Sequence, residues 1–415
     1  MVRLKSYNFS CVSGHRLTGL LPTLIGRRRI GGRLWTAKSG PSGPLPKPAR
    51  RAPAKVGVRP RVAAGSFSLA GRHSALLKMR GMNERTLGSI EAVDRPARRD
   101  RPAFDPELRA GLAIVGGMFP PTITSDLIDF MRVSYAGPSV DTLIGGRSIC
   151  CEERVFEGYE GHALKASVFR HERASGLRPG VLFAHSGGLM FGDRFSGLDR
   201  MIDFVELLGV VLVSIEYRLA PEHRDPYPRE DVYAALEWMA SHAESLGVRL
   251  DRLLIAGASA GGGLAAGVAL AARDRGGPRL CGQLLDYPML DDRGLTKSTR
   301  QFDGIGVWDR VSNETGWSAL LGDARGGPDV SVYAAPARAT QLHDLPPAFL
   351  DVGSAEIFRD ETVAYADALW NAGGDAELHV WPGGFHAFDI FAPHTALSRG
   401  MIATRSAWMS RVLGD

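Results

Sequence analysis

Hydrophobic positions from residue 148 onward alternate between two spacings along the chain. Short apolar runs predict strands, and apolar residues three or four apart predict helices. The run VVLVSIEYR (210–218) is continuously apolar, as is typical of a strand buried on both faces of a sheet. The segment 228–247 has the helical spacing and ends at Gly247, a residue that often terminates helices. Because strand, helix and strand repeat, we predict an α/β fold with a mostly parallel sheet and helices on both faces.

The same two spacings predict the remaining elements. Strands are expected at KASVFR (165–170), GVLFAHSGG (180–188), RLLIAG (252–257), GQLLDYPML (282–290), PAFLDVGSAE (347–356) and AELHVWPGG (376–384). Helices are expected at 199–209, 262–274 and 360–374, and in a last segment that ends at Leu413. Short helical segments are predicted between 102 and 145, and 291–345 is predicted to be an irregular insertion.

Charge is distributed unevenly along the chain. Residues 1–81 contain 17 Lys and Arg and no Asp or Glu. Subtracting these from the 50 Lys and Arg of the whole chain leaves 33 basic against 45 acidic residues over 82–415, a net charge of −12. We interpret 1–81 as a disordered or non-native extension, with native translation starting at Met79 or Met82, because its Arg-, Pro- and Gly-rich composition cannot form a core. A targeting presequence and a segment that binds nucleic acid or anionic lipid are the alternatives.

Several classes of protein are excluded by composition and by missing motifs. No run of about 18 apolar residues exists, so we expect no membrane-spanning helix. The four cysteines are too few for a disulfide scaffold and have no CxxC spacing, so they are expected to be reduced; they are Cys11, Cys150, Cys151 and Cys281. No GxGxxG dinucleotide turn and no GxxxxGK[ST] phosphate loop is present. We therefore predict no metal and no cofactor.

A serine lies where a predicted strand ends and a predicted helix begins, in IAGASAGG (255–262). The five residues around Ser259 match G-x-S-x-G, and this motif requires that a strand precede it and a helix follow it. Glycines on both sides leave room for a strained turn, and the N-terminus of the new helix favours negative charge near the serine. One interpretation is a flexible glycine turn with no catalytic role. The other, which we favour, is that Ser259 is a nucleophile.

A serine hydroxyl needs an adjacent base, and a carboxylate must orient that base. His386 in PGGFHAFD follows the last predicted strand and is the candidate base, although a histidine packed between phenylalanines is the alternative. The carboxylate is expected after a strand and between the serine and the histidine along the chain. Glu356 is chosen because it lies where the predicted strand passes into the loop before the next helix, with Asp360 as second choice. Asp351 is expected inside the strand, and Glu361 in the first helical turn.

The segment FAHSGGLMFGD supplies the electrophilic half of a site for acyl transfer. The backbone N–H groups of Gly187, Gly188 and Ala260 are the candidate donors to a developing oxyanion. His185 is expected to orient this loop by hydrogen bonding and to play no part as a base or metal ligand. Ligands bind at the carboxyl ends of strands in parallel sheets. The motifs around Ser259, His386 and Gly187 should therefore meet at one edge of the sheet.

The chain resembles the hormone-sensitive-lipase-like branch of the α/β-hydrolase fold, the group of bacterial carboxylesterases with an H-G-G-G motif. The resemblance covers the chain from about Phe104 to its C-terminus, and its carriers are HSGG, EYRLAPEH, GASAGG, YPMLDD, LPPAFLDVGSAEIFRDE and PGGFHAFD. It implies that Ser259, Glu356 and His386 are the catalytic residues. It also implies that Gly187, Gly188 and Ala260 form the oxyanion hole.

The same resemblance implies a domain organisation and two departures from the family pattern. Residues 82–147 and part of 291–345 are expected to form a cap over a catalytic domain at 148–415. Ser186 replaces the first glycine of H-G-G-G, and Glu356 stands where many relatives have aspartate. Further expectations concern five other residues: Tyr217, Arg218 and Glu222 are interpreted as structural, and Trp308 and Trp317 as candidates for the wall of the acyl pocket or for plain packing.

The leading hypothesis is a serine carboxylesterase that hydrolyses short- to medium-chain esters through an acyl-enzyme. An amidase or arylformamidase with the same triad, and a small-molecule receptor on an inactive hydrolase fold, are the alternatives. The expected partner is a small-molecule ester; nucleic acid is not expected. A cytoplasmic location is predicted, and a homodimer is compatible with the sequence.

Overall fold

A computed structural model describes residues 100–414 of the chain. The predicted extension at 1–81 and residues 82–99 of the predicted cap segment lie outside the described residues. Within the described part, the strands are β1 Ile149–Glu157, β2 Ala163–His171, β3 Arg178–Ala184, β4 Val211–Ile215, β5 Val248–Ala258, β6 Gly282–Asp286, β7 Ala348–Gly353 and β8 Ala376–Trp381. The helices are α1 Arg109–Met118, α2 Ile128–Ser134, α3 Val140–Ile144, α4 Asp199–Leu208, α5 Tyr227–Ser241, α6 Ala243–Leu246, α7 Ala260–Asp274, α8 Lys297–Gln301, α9 Arg310–Leu321, α10 Arg359–Asn371, α11 Phe388–Phe391 and α12 Ala396–Leu413.

The eight strands form one sheet in the order β1-β2-β4-β3-β5-β6-β7-β8. The pairs β1–β2 and β2–β4 are antiparallel, and every later pair is parallel. All five residues of β4 are buried, so helices or loops must cover both faces of the sheet at its centre. The helices lie in two groups, with α5 packed on α7 and α4 packed on α12. The predicted mostly parallel α/β sheet is confirmed.

The order of the strands places a topological switch at β3. The chain runs from β3 to β4 on one side and later inserts β5 on the other side of β3. Connections that leave neighbouring strands in opposite directions open a crevice at the carboxyl ends of those strands. The loop after β3 and the turn after β5 therefore flank the same crevice. The loop after β8 lies at the same edge of the sheet.

Several predicted boundaries differ from the observed ones. The strand predicted at 180–188 ends at Ala184, since Gly187 has a φ of +129°, which is incompatible with a strand. The helix predicted at 228–247 is interrupted at His242 and becomes α5 and α6. Strand β1 was not predicted at all. Four of the nine residues of its sequence ICCEERVFE are charged, because the strand lies at the edge of the sheet, where even Val155 is 60% exposed.

Candidate active site

Ser259 occupies a sharp turn between β5 and α7. Its φ of +56° and ψ of −119° lie outside the regions that non-glycine residues normally adopt, so the turn is strained. The turn fits only because glycines flank it: a Cβ atom at Gly257 would lie 2.1 Å from the Gly261 carbonyl oxygen. A Cβ atom at Gly261 would lie 2.0 Å from the Ala184 carbonyl oxygen at the end of β3. The absence of a Cβ atom at both positions therefore lets the turn pack directly against the neighbouring strand end.

The three residues predicted as a catalytic triad are brought together. His386 Nε2 lies 3.0 Å from Ser259 Oγ, and His386 Nδ1 lies 2.6 Å from Glu356 Oε2. The other carboxylate oxygen of Glu356 accepts a hydrogen bond of 2.9 Å from the Gly353 N–H. All three side chains are buried, with the serine residue 5% exposed. Because a carboxylate oxygen only accepts, the ring proton lies on Nδ1 and leaves Nε2 free to accept the serine proton.

The other carboxylates considered in the same segment have different partners. Asp360 accepts a hydrogen bond of 2.8 Å from the Ser298 N–H at the start of α8 and pairs with Arg359. Asp351 lies inside β7, as expected, and pairs with Arg405. Glu361 lies in the first turn of α10, where burial raises the pKa of its carboxyl well above the ordinary range. None of the three is hydrogen-bonded to His386 among the described residues.

The loop after β3 presents free backbone N–H groups beside the serine. Gly187 and Gly188 have φ values of +129° and +58°, which only glycine adopts readily. A Cβ atom at Gly187 would lie 1.9 Å from the Phe191 carbonyl oxygen. Within residues 100–414, the N–H groups of Gly187, Gly188 and Ala260 donate to no other group. Unpartnered backbone donors next to a helix N-terminus are suited to binding an anionic oxygen.

His185 orients this loop by hydrogen bonding and ring stacking. Its Nδ1 lies 2.8 Å from the Ser186 carbonyl oxygen, and its ring stacks on Tyr217 at 4.0 Å between centroids. The Tyr217 hydroxyl donates to the His185 carbonyl at 2.8 Å. Burial lowers the pKa of His185, so the imidazole is neutral and donates from Nδ1. These contacts agree with the structural roles predicted for both residues.

The two other residues predicted as structural are also engaged. Arg218 pairs with the buried Asp231, with 2.6 Å between Nη2 and Oδ1. Glu222 lies at the surface, since its side chain is 55% exposed, and it pairs with Arg132 of α2 at 2.6 Å. That ion pair joins the segment before β1 to the loop after β4.

A small apolar pocket opens onto the serine. It holds about 40 Å³. Its walls come from the segment between α1 and α3, the loop after β3, the insertion after β6 and helix α11, and the apolar and aromatic residues are Phe119, Ile123, Met131, Tyr135, Phe191, Val307, Trp308 and Phe391. Of the two tryptophans that were candidates for the pocket wall or for plain packing, Trp308 lines the pocket, whereas Trp317 is buried in α9 and does not line it. A wider groove of about 790 Å³ lies between β1 and α5. Its lining includes Ser241, whose hydroxyl lies 3.0 Å from His242 Nδ1, but within residues 100–414 no carboxylate is hydrogen-bonded to that imidazole.

Two supporting groups were missed by the sequence analysis. Tyr287 packs edge-on against the His386 ring with 4.9 Å between centroids. Arg405 of α12 is 1% exposed, and its guanidinium contacts Asp286, Asp351 and Asp389. The sequence did contain a signal, because Arg405 falls on the buried stripe of α12 between Met401 and Trp408. A lone arginine on an apolar helix face predicts a buried acidic partner.

Among residues 100–414, no three His, Cys, Asp or Glu side chains are grouped so as to hold a metal ion. No helix within the same residues has the length and apolar content needed to cross a membrane.

Comparison with known proteins shows similarity to one family, to two curated relatives and to one solved structure. The α/β hydrolase fold family matches residues 181–390. Esterase LipI of Mycobacterium tuberculosis is 36% identical over 234 residues, which are 55% of this chain and 72% of LipI. Carboxylesterase NlhH of the same organism is 35% identical over 241 residues, 55% of this chain and 74% of NlhH. The solved structure of a bacterial heroin esterase superposes with a TM-score of 0.69 at 35% identity and covers 75% of this chain and 99% of that one.

Proposed function

The chain belongs to the α/β hydrolase fold family, and from this premise we propose that it hydrolyses short- to medium-chain carboxylic esters through an acyl-enzyme on Ser259. It is a carboxylic ester hydrolase. The proposal concerns the roles of single residues and the size of the acyl group. The observation that carries it is the continuous line of contacts from Ser259 Oγ to His386 Nε2 at 3.0 Å and from His386 Nδ1 to Glu356 at 2.6 Å.

In the proposed mechanism, Ser259 Oγ attacks the ester carbonyl carbon while its proton passes to His386 Nε2. The resulting imidazolium then protonates the alkoxide as the carbon–oxygen bond breaks, so the alcohol leaves and the acyl group stays on the serine. A water molecule repeats the sequence: it loses a proton to Nε2, attacks the acyl-enzyme and releases the acid. Glu356 accepts the Nδ1 hydrogen bond throughout and stabilises the positive charge on the ring.

We assign the oxyanion hole to the N–H groups of Gly187, Gly188 and Ala260. Each negative tetrahedral oxygen requires donors that are already oriented and carry no competing partner. The three N–H groups have no other acceptor within the described residues, which supports the assignment. A single donor of this kind contributes about 3 kcal/mol to transition-state stabilisation in enzymes where it has been removed.

The walls of the pocket support the proposed size of the acyl group. The space of about 40 Å³ beside Ser259 accommodates a few carbon atoms, and Trp308 lies against Gly188. We propose that the acyl group lies here, and that residues 82–147 with part of 291–345 act as a cap. A cytoplasmic location is proposed as well, because the described cysteines Cys150, Cys151 and Cys281 form no disulfide.

The proposal is tested by replacing Ser259 with alanine. Hydrolysis of p-nitrophenyl acetate and butyrate should fall by at least about 10⁴-fold, since the nucleophile is lost while the fold is retained. Ser410→Ala is the control, because this serine hydroxyl donates only to the Ser406 carbonyl on the surface. Ester hydrolysis by the Ser259→Ala variant at the wild-type rate would overturn the assignment.

Two other outcomes separate the alternatives. A fluorophosphonate probe should label the wild-type protein at Ser259; absence of labelling together with tight ligand binding would indicate a receptor. Matched p-nitrophenyl esters and p-nitroanilides separate an esterase from an amidase, because a preference for the anilide would identify an amidase.

A further inference from the structure

Ser186 stands directly before the proposed oxyanion donor Gly187, at a position where the family has glycine. It is 4% exposed, and its hydroxyl lies 2.8 Å from the hydroxyl of Tyr135. Tyr135 follows α2, so the contact joins the segment before β1 to the loop after β3. Both residues line the pocket that opens onto Ser259. The hydroxyl pair therefore belongs to the wall of the substrate pocket.

The pair is held in place by the surrounding backbone. The Tyr135 carbonyl accepts a hydrogen bond of 3.2 Å from Ser196 Oγ, and the Gly137 N–H donates to Asp193 at 2.9 Å. Arg132 Nε donates to the Met190 carbonyl at 3.0 Å. Each of these bonds ties the segment of Tyr135 to the loop of Ser186. The two hydroxyls are consequently preorganised and need no rearrangement to act together.

The Tyr135 and Ser186 hydroxyls together have one hydrogen atom that takes part in no hydrogen bond within residues 100–414. Each hydroxyl carries one hydrogen, and the contact between them consumes one of the two. Within residues 100–414, neither the Tyr135 hydroxyl nor Ser186 Oγ makes a hydrogen bond to any further group. Burial raises the pKa of Tyr135, so its hydroxyl stays protonated at neutral pH. A free O–H group thus remains in the wall of the pocket.

The surroundings make this free donor unusual. Tyr135 packs edge-on against Phe119 and Phe191, with 5.9 Å and 5.2 Å between ring centroids. An unsatisfied buried donor is disfavoured, and it is much rarer in proteins than an acceptor with a spare lone pair. Glycine at position 186 together with phenylalanine at position 135 would leave no free hydroxyl hydrogen in this wall. Retention of both hydroxyls is explained if the substrate supplies an acceptor.

We propose that Tyr135 and Ser186 are specificity-determining residues whose free hydroxyl hydrogen binds an oxygen atom of the substrate close to the scissile carbonyl. The class of substrate is an ester with an ether, hydroxyl or carbonyl oxygen near its reacting group. This inference rests on the proposed function. Proximity follows from the chain, because Cα atoms of adjacent residues are about 3.8 Å apart and Gly187 donates to the oxyanion.

The test compares esters that differ by one atom. In the acyl arm, p-nitrophenyl methoxyacetate is compared with p-nitrophenyl butyrate, in which CH₂ replaces the ether oxygen. In the alcohol arm, 2-methoxyethyl acetate is compared with butyl acetate. Each kcat/KM ratio is divided by the ratio of hydroxide-catalysed rate constants for the same two esters, which removes the intrinsic reactivity of the oxygenated ester.

For the wild-type protein we expect a corrected preference of about threefold to tenfold for the oxygenated ester in one of the two arms, the size of one neutral hydrogen bond. The arm that shows it identifies the side of the substrate that carries the oxygen. A corrected ratio of one in both arms, with all four esters hydrolysed, overturns this inference and leaves the proposed function intact. If none of the four esters were hydrolysed, the proposed function itself would be contradicted.

Variants assign the preference to the pair. The double variant Tyr135→Phe with Ser186→Ala removes both hydroxyls and keeps the ring and the backbone, so the corrected ratio should fall to one. Either single variant keeps one hydroxyl that can still donate. If only one of the two single variants keeps the preference, the hydroxyl that remains in that variant is the donor. The double variant Tyr333→Phe with Ser410→Ala is the matched control: it also removes one tyrosine and one serine hydroxyl, neither residue lines the pocket, and its ratio should equal the wild-type ratio. A double variant with the wild-type ratio would overturn the proposal.

Discussion

The floor and the wall of the pocket are built by different interactions. The floor consists of strand ends and their turns. Ser259, His386 and Gly187 are fixed there by hydrogen bonds and by close backbone packing at glycines, where a Cβ atom would collide with its neighbours. The wall consists of the segment between α1 and α3 and of the insertion with Trp308, and it is mostly aromatic and aliphatic. Directional bonds in the floor determine geometry to tenths of an ångström, whereas apolar packing determines volume.

This difference indicates where rate and selectivity are determined. Changes in the floor remove interactions that exist only in the transition state and should lower kcat by orders of magnitude. Changes in the wall alter how well one substrate fits relative to another, which is worth a factor of about ten to two hundred per methylene group. The variants below challenge that division of roles, beginning with the one of largest effect.

Glu356→Gln should lower kcat by about 10³- to 10⁴-fold for p-nitrophenyl butyrate, because an amide can donate to Nδ1 and hold the wrong tautomer of His386. Steady-state kinetics at pH 8 provide the measurement. Asp360→Asn is the control, since Asp360 bonds to Ser298 and Arg359 and should change kcat less than about threefold. If the two variants exchanged these effects, the acid of the floor would be Asp360.

Gly187→Ala should lower kcat by about 10²- to 10³-fold, the loss seen when an oxyanion donor is removed. The added Cβ would lie 1.9 Å from the Phe191 carbonyl oxygen, so the loop must move away from the serine. Gly176→Ala is matched to it: Gly176 has a φ of +69°, but nothing lies within 4 Å of its Cβ position. The control should lose stability and keep kcat. A full kcat in Gly187→Ala would contradict the assigned oxyanion hole.

Most of the floor was predictable from the sequence because it depends on short-range rules. The motif around Ser259 requires a strand before it and a helix after it, and both could be predicted from apolar spacing. Glu356 could be selected because it alone among the nearby acids fell where the strand passes into the loop before the next helix. His386 could be located because it follows the last strand. Each inference needed only local sequence and the rule that parallel strands share one functional edge.

The wall was not predictable to the same degree, for a physical reason. Contacts such as Tyr135 with Ser186 join residues 51 positions apart, and no periodicity encodes which irregular segments meet. Trp308 and Trp317 have equal apolar character, yet only Trp308 lines the pocket. Strand β1 was missed because an edge strand with one solvated face carries Glu and Arg at positions where an inner strand carries Val and Leu.

Arg405→Met examines the support beneath the floor. Removing one partner of a buried charge cluster costs about 3 to 5 kcal/mol in the free energy of unfolding. Burial raises the pKa of Asp286 and of Asp351 in the wild-type protein, and loss of the guanidinium should raise both pKa values further. A group whose folded-state pKa is raised stabilises the protein at low pH, and this stability is lost as pH rises through that pKa. The deficit of the variant should therefore grow between pH 4 and pH 8.

Thermal unfolding across this pH range provides the measurement for Arg405→Met. Arg411→Met is the control on the same helix, because Arg411 is 57% exposed and its pair with Glu377 lies on the surface. Its free energy of unfolding should change by less than about 0.5 kcal/mol at every pH. A deficit of Arg405→Met that stayed constant or shrank with rising pH would show that the acidic cluster is not held by this arginine.

Trp308→Ala concerns the wall and should have the smallest effect on the rate with acetate. The indole closes the pocket beside the floor, since a Cβ atom at Gly188 would lie only 2.2 Å from Trp308 Cη2. Removing it should raise the kcat/KM ratio of p-nitrophenyl hexanoate to acetate by at least about tenfold, because each methylene group admitted to an apolar pocket gains that order of discrimination. Trp317→Phe removes part of an indole that is buried outside the pocket and should leave the ratio unchanged while lowering stability. If kcat for acetate collapsed in Trp308→Ala while the chain-length ratio stayed constant, Trp308 would belong to the catalytic floor, and the division between a floor that determines rate and a wall that determines selectivity would fail at this residue.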